Sequence, residues 1–261
     1  MYPNHTLAMP KRLLRVLVLM GALLAGGLCQ AGEVRVAVAA SFVGPMREVA
    51  AAFARDTGHS AVLAAGATGK LYAQIVHGAP FHVLLAADRE TPARLEREGL
   101  AVAGSRFTYA TGRLVLWSRN RTLVDGAGDV LRTARFERLA VADPKLAPYG
   151  AAARDTLHTM GLLSALQPRV VQGESMGQVY QFVASGNAAL GFVALSQVWA
   201  DGKLTEGSAW IVPAHLHAAL RQDAVLLRAG QGNPAATALV TYLQSAPVQA
   251  LLQGYGYEFS R

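Results

Sequence analysis

The sequence predicts an α/β fold, and three observations carry that reading. Short, almost wholly apolar runs alternate with helix-like segments through the first part of the chain. The alternation is interrupted once, by the strand-rich stretch RFTYATGRLVLWSR at Arg106–Arg119, and then resumes. A further apolar run, RQDAVLL at Arg221–Leu227, comes late and is followed by two helical segments. Runs this apolar, spaced by helices, belong to strands buried on both faces.

Residues 1–31 stand before this pattern. Lys11, Arg12 and Arg15 form a basic region, Val16–Leu28 is apolar, and Cys29-Gln30-Ala31 closes the segment. That is the layout of a secretory signal peptide cut after Ala31. An apolar run of about thirteen residues is short for a membrane span. A lipid-modified Cys29 would want a small residue where Leu28 stands.

The first strand is VRVAVAA (Val34–Ala40), with a helix over Pro45–Arg55. AVLAA (Ala61–Ala65) precedes a helix from Gly69 to His77, and HVLLAA (His82–Ala87) precedes one near Thr91–Glu98. Arg106–Arg119 reads as one extended stretch with Gly112 in its middle. RLAVAD follows, then helices from Tyr149 and from Ser175, then AALGFVAL. After the late strand, helices are expected over Pro234–Leu243 and Pro247–Leu252. Two layouts satisfy this order. In one, two lobes exchange the chain near 110–116 and 212–222; in the other, all strands join one doubly wound sheet.

Composition narrows the function classes. The chain has 261 residues, 52% of them apolar and 16% charged, enough for a sizeable core. Without residues 1–31 the 24 basic residues fall to 21 against 17 acidic ones, a net charge of +4 instead of +7. No Lys/Arg block interleaved with aromatics is present, so nucleic acid is not an expected partner. The single cysteine leaves with the signal segment, so neither a disulfide framework nor a thiolate metal site is expected.

GATGKLYAQI (Gly66–Ile75) has the look of a phosphate loop, but a nucleotide loop needs Gly-x4-Gly-Lys-Ser/Thr. The first glycine is replaced by Ala64 and the magnesium-binding hydroxyl by Leu71. The helix-start chemistry remains. It recurs at Ser41 in AASFVGPM, at Thr68, at Tyr149-Gly150 in LAPYGAAARD, and at Ser175-Met176 in GESMGQVYQF. Each turn offers unpaired backbone N–H groups, which favour an anion at the carboxyl ends of the strands. No arginine lies in these turns, and Lys70 is their only lysine. A nucleotide or sugar phosphate would call for a cationic clamp. A small, fully ionised oxyanion can be held by neutral donors, each hydrogen bond to it contributing roughly 1.5–3 kcal/mol.

VAVAASFVGPM, GATGKLYAQIVHGAPFHVLLAADRETPARLEREGL, GSRFTYATGRLVLWS, ADPKLAPYGAAARDTL and GNAALGFVALSQV, taken in order, resemble the periplasmic molybdate-binding proteins of bacterial ABC transporters. The likeness covers essentially the whole chain after the signal segment. It implies the two-lobed type II periplasmic-binding-protein fold with a ligand cleft between lobes. The first lobe would comprise 32–112 and the return segment 218–261, and the second lobe 113–217. It implies a high-affinity periplasmic receptor for molybdate, and for tungstate of nearly the same size; the alternatives are a binding protein for another small oxyanion or organic acid, or an enzyme on the same fold. It would be a monomer that delivers the oxyanion to a permease at the inner membrane, with no cofactor and no catalysis. The oxyanion would be bound through Ser41, Thr68, Tyr149 and Met176, with Ala40 as a further backbone donor and no protein atom on the metal itself. Some members of the family place a tyrosine hydroxyl from the segment matching Gly191–Leu195, where this chain has Ala194. A branch with PYG places a tyrosine at the Tyr149 position, and the Tyr149 hydroxyl is expected to compensate.

Other chemistry has weaker support in the residues. His77, His82, His158, His215 and His217 lack a further ligand at useful spacing for a metal. Asp88 and Asp143 end strands, where caps are commoner than general bases. Ser41, Ser175 and Ser196 lack the Gly-x-Ser-x-Gly elbow of a nucleophile.

Overall fold

A computed structural model describes residues 31–259 of the chain. All of the expected signal peptide but Ala31 lies outside the described residues. The strands form two five-stranded sheets, not one, with a two-stranded ribbon beside them.

The first sheet holds β1 (Glu33–Ala39), β2 (Ser60–Gly66), β3 (Val83–Leu85), β4 (Phe107–Gly112) and a late strand, Leu220–Leu226. Its order is β2-β1-β3-late strand-β4. The first three strands run parallel, and the late strand is antiparallel to both neighbours. Helices α1 (Val43–Thr57), α2 (Thr68–Val76) and α3 (Glu90–Arg97) follow β1, β2 and β3.

Alternation along β1 explains how the helices cover both faces. Val34, Val36 and Val38 pack with Phe42, Met46, Val49 and Phe53 of the α1 segment. Ala37, between them, packs on the opposite face with Leu71 and Ile75 of α2. Met46, Val49 and Phe53 recur at three- and four-residue steps, which puts them on one helix face. Burying each of these side chains contributes about 1.5–3 kcal/mol. Helix α1 ends at Gly58, whose φ of 74° lets its N–H close on Ala54 O.

The second sheet holds β5 (Leu114–Ser118), β6 (Leu139–Ala142), β7 (Val170–Gly173), β8 (Leu190–Ala194) and, after the ribbon strands β9 (Trp199–Ala200) and β10 (Lys203–Leu204), β11 (Ser208–Ile211). Its order is β11-β5-β8-β6-β7, and the late strand of the first sheet is therefore β12. Between these strands lie α4 (Val130–Thr133), α5 (Pro148–Thr159), α6 (Leu163–Leu166) and α7 (Met176–Ala184). The chain closes with α8 (Pro234–Tyr242) and α9 (Ala246–Gly254) on the first sheet's side.

The strand-rich stretch at Arg106–Arg119 is two strands in different sheets. β4 ends at Gly112 and β5 begins at Leu114, so only Arg113 separates them. The chain returns at Leu220, which pairs with Gly112. Both sheets belong to one closely packed unit.

Candidate functional site

Each of the four expected turns sits where a strand of one sheet gives way to a helix. Ser41 lies between β1 and α1, and Thr68 is the first residue of α2. Tyr149 is the second residue of α5, and Met176 the first of α7. Residues at helix starts have no carbonyl one turn back to accept their N–H. Accordingly, the amides of Ser41, Thr68, Tyr149 and Met176 have no acceptor among the described residues.

These four residues, two from each sheet's side, line one small, tight pocket. Ala39, Ala67, Ala87, Ala147 and Gly66 supply most of the remaining wall. Small residues let four helix starts approach one another. No lysine, arginine, histidine or carboxylate is part of the lining.

The hydroxyls on the first sheet's side are poised differently. Ser41 Oγ is buried and has no hydrogen-bond partner, a state that costs about 1–3 kcal/mol unless a ligand relieves it. The Ser41 carbonyl accepts from Ser196 Oγ at 2.8 Å and from the Tyr257 hydroxyl at 3.3 Å. Thr68 Oγ1 accepts the Ala87 N–H at 3.1 Å, which leaves its own proton to donate.

Two details differ from the expectations. Ala40 lines the cavity, but its N–H donates to Gly66 O at 2.9 Å. It extends the parallel ladder that pairs Ala39 with Gly66, so it is not a free donor. The sequence places the Tyr149 hydroxyl at the ligand. Instead it accepts from Gln222 Nε2 at 2.9 Å and packs against Gly112, neither of which lines the cavity. What Tyr149 brings to the cavity is its backbone amide.

The PYG sequence explains how that amide is placed. Pro148 starts the helix at a position where a missing N–H costs nothing. Gly150 lets the helix meet the end of β6, because a Cβ there would stand 2.3 Å from Ala142 O. At Met176, the preceding Ser175 caps α7 by accepting the Gln178 N–H at 3.3 Å. Gln197 Nε2 holds the Met176 carbonyl at 3.1 Å.

Lys70, Asp88, Asp143 and Ser196 have structural partners. Lys70 Nζ pairs with Glu174 at 2.6 Å, outside the cavity wall. Asp88 accepts from Thr91 N at 2.8 Å and Asp143 accepts from Lys145 N at 2.8 Å, so both cap loops. Burial pushes the Asp88 carboxyl up, opposed by the Thr91 bonds. Ser196 is pinned between the Ser41 carbonyl and the Tyr257 hydroxyl, 3.0 Å away. Burial raises the Tyr109 and Tyr149 phenols well above their ordinary value, so both stay neutral. The sequence reading missed Gln197, Gln222 and Tyr257. Their contacts join residues far apart in the chain, and no local spacing signals them.

Two sheets joined by closely spaced crossings, with an uncharged cavity walled by helix starts from both, define a class of solute-binding protein. The chain belongs to the bacterial extracellular solute-binding protein family, whose model matches residues 34–258. Within that class it is 54% identical over 243 residues to the molybdate-binding protein ModA of Azotobacter vinelandii, covering 93% of this chain and 96% of the relative. It is 48% identical to the molybdate-binding protein ModA of Rhodobacter capsulatus, covering 87% of this chain and 88% of the relative. The solved periplasmic molybdate-binding protein of Azotobacter vinelandii superposes with a TM-score of 0.85 at 39% identity, covering 87% of this chain and all of that one. The family binds solutes and is not one of enzymes.

Proposed function

We propose that this protein is the periplasmic receptor that captures molybdate and hands it to an ABC permease at the inner membrane. The single observation that carries the reading is the set of four acceptor-free amides, at Ser41, Thr68, Tyr149 and Met176, on one cavity without a charged wall. Names of relatives at 54% and 48% identity point the same way.

Molybdate is a tetrahedral dianion that carries only acceptors. Four amides and the hydroxyls of Ser41 and Thr68 are six donors facing such acceptors. They come from helix starts, whose partial positive charge adds to each bond. A carboxylate in the wall would repel the dianion, and there is none among the lining residues. Tungstate, with the same shape and nearly the same size, fits the same donors. Sulfate is a smaller dianion with the same acceptors, so size is what would tell the two apart.

Two lobes would close over the ligand, the first from 32–112 and 218–261 and the second from 113–217. A signal peptide over residues 1–31 would deliver the chain to the periplasm, where it would work as a monomer.

Thermal shift and calorimetry test this directly. A ligand at a hundredfold its Kd stabilises the folded state by about 2.7 kcal/mol. Molybdate and tungstate raise the melting temperature on this reading, and sulfate and phosphate leave it nearly unchanged. An equal rise with sulfate defeats the selectivity, and no rise with any of the four defeats the oxyanion site.

A further inference from the structure

Gln222 is fully buried in β12, two residues after the chain returns to the first sheet. The register of β12 against β4 shifts between Gln222 and Asp223. Such an irregularity turns a side chain away from the direction regular pleating would give it. The Gln222 side chain links the two sheets. Its Nε2 donates to the Tyr149 hydroxyl at 2.9 Å, and its Oε1 accepts from the Tyr109 hydroxyl at 2.8 Å. Tyr109 lies on β4, 3.0 Å from the Ala86 carbonyl, and its ring packs on Phe42 at 4.7 Å. Phe42 follows Ser41, and Ala86 precedes Ala87, whose amide holds Thr68 Oγ1. One uncharged chain of contacts thus runs from the donors of the first sheet's side to Tyr149 on the other.

The space around these groups is fully used. A Cβ on Gly112, at the crossing, would lie 1.9 Å from the Tyr149 hydroxyl and 2.4 Å from Gln222 Nε2. Gly112 is therefore required for room. It lets Tyr149 and Gln222 meet directly over the crossing strands.

We propose that Gln222 is a positioning residue of the oxyanion site. By holding the Tyr149 hydroxyl, it sets the amide at the start of α5 against the donors of Ser41 and Thr68. This inference rests on the proposed function, since it assigns a role within that same site. Gln222 does not touch the ligand. It acts through Tyr149, and the hydroxyl that sequence reading assigned to the oxyanion serves the alignment of the site instead.

Calorimetric titration of molybdate into the parent, Gln222→Met, Tyr149→Phe and the double variant tests the proposal, with melting curves of each ligand-free protein. Tyr149→Phe keeps every backbone donor of the cavity. Each single change weakens binding about tenfold, the worth of one buried hydrogen bond. The double variant loses little more than the weaker single, because both changes break the same link. Gly112→Ala weakens binding in the same direction. A lowered melting temperature with the parent's Kd would show a purely structural role and overturn the proposal, as would losses that multiply in the double variant. If Gln222→Met fails to fold, Tyr149→Phe decides alone: weakened binding supports the link and unchanged binding overturns it. A parent that binds neither molybdate nor tungstate sinks the function itself, and the positioning role with it. A parent that binds, with variants that match it, sinks the positioning role only.

Discussion

On the first sheet's side of the cavity, Ser41 and Thr68 each pair a backbone amide with a hydroxyl. On the second sheet's side, Tyr149 and Met176 bring amides alone to the wall, and their side chains serve packing or the Gln222 link. Side-chain donors can be deleted by substitution. Backbone donors can only be displaced, by moving the helix that carries them. The two sides should therefore respond to mutation in opposite ways. The first is sensitive at the named residues. The second is sensitive at the residues that set its helices in place.

Gly150→Ala should show the largest effect, because it moves a whole helix start. Its Cβ would be driven to 2.3 Å from Ala142 O and 2.8 Å from Ala142 C, both backbone atoms that cannot swing aside. Overpacking of this kind costs about 1–3 kcal/mol or more. In a protein of this size each kcal/mol lowers the melting temperature by about 2–4 °C. Molybdate affinity falls further than for any single hydroxyl deletion, because the Tyr149 amide shifts with α5. Parent-like affinity in this variant would break the claim that backbone placement governs the second side.

Next come the hydroxyls of the first side. Ser41→Ala removes one donor to the proposed oxyanion and weakens binding by about 1–3 kcal/mol, roughly 5- to 150-fold. The ligand-free protein gains or holds its stability, since Ser41 Oγ has no partner to lose. Thr68→Val behaves differently. It removes a donor and also leaves the buried Ala87 N–H without its acceptor, so stability and affinity fall together. Thr68→Ser restores both. Chemical denaturation beside calorimetry separates the two patterns. Met176→Leu is the matched control on the other side: volume and backbone are kept, and affinity stays at the parent value.

Much of this contrast is legible in the sequence, and the limits of that reading are physical. Apolar runs such as Val34–Ala40 announce strands because burial on two faces tolerates no polar alternation. The turns at Ser41, Thr68, Tyr149 and Met176 follow from helix starts after such runs. The role of the Ala40 amide is not legible locally, because it depends on strand pairing with Gly66, a partner outside its own turn. The place of the Tyr149 hydroxyl is not legible locally either, because Gln222, 73 residues away, and the space left at Gly112 decide where it goes. Within Arg106–Arg119 the one local mark of the change of sheet is Gly112, at the end of β4.

A smaller effect is expected at the contact that joins the two sides outside the cavity. Lys70 and Glu174 pair at 2.6 Å with side chains 45% and 68% exposed. Beside them the Gly69 N–H donates to Leu146 O at 3.0 Å, a second bridge between the sides. Exposed pairs contribute about 0–1 kcal/mol. Lys70→Met therefore weakens molybdate binding at most about fivefold at low salt, chiefly through faster release. The difference from the parent vanishes near 1 M salt, where the screening length is about 3 Å. A larger loss that persists in high salt would make Lys70 a direct ligand, and the first side would then carry charge as well as dipoles.

The smallest effect concerns pH. Neither side of the cavity has a histidine or carboxylate in its lining. The nearby phenols of Tyr109 and Tyr149 are held neutral by burial, their ionisation raised well above the ordinary value of 10.0. Affinity for molybdate is thus flat between about pH 6 and pH 9, because no side chain that titrates in that range lines the cavity. Stability follows a different course. A tyrosine whose folded value is raised favours the folded state fully below the unfolded value. That contribution is lost as pH climbs past about 10, because the unfolded chain ionises first. Calorimetry across the neutral range and melting curves carried into alkali read the two separately. A tenfold step in Kd near pH 6.5 would reveal a titrating group against the ligand, and neither side of the cavity would then be the neutral cradle that their shared helix starts describe.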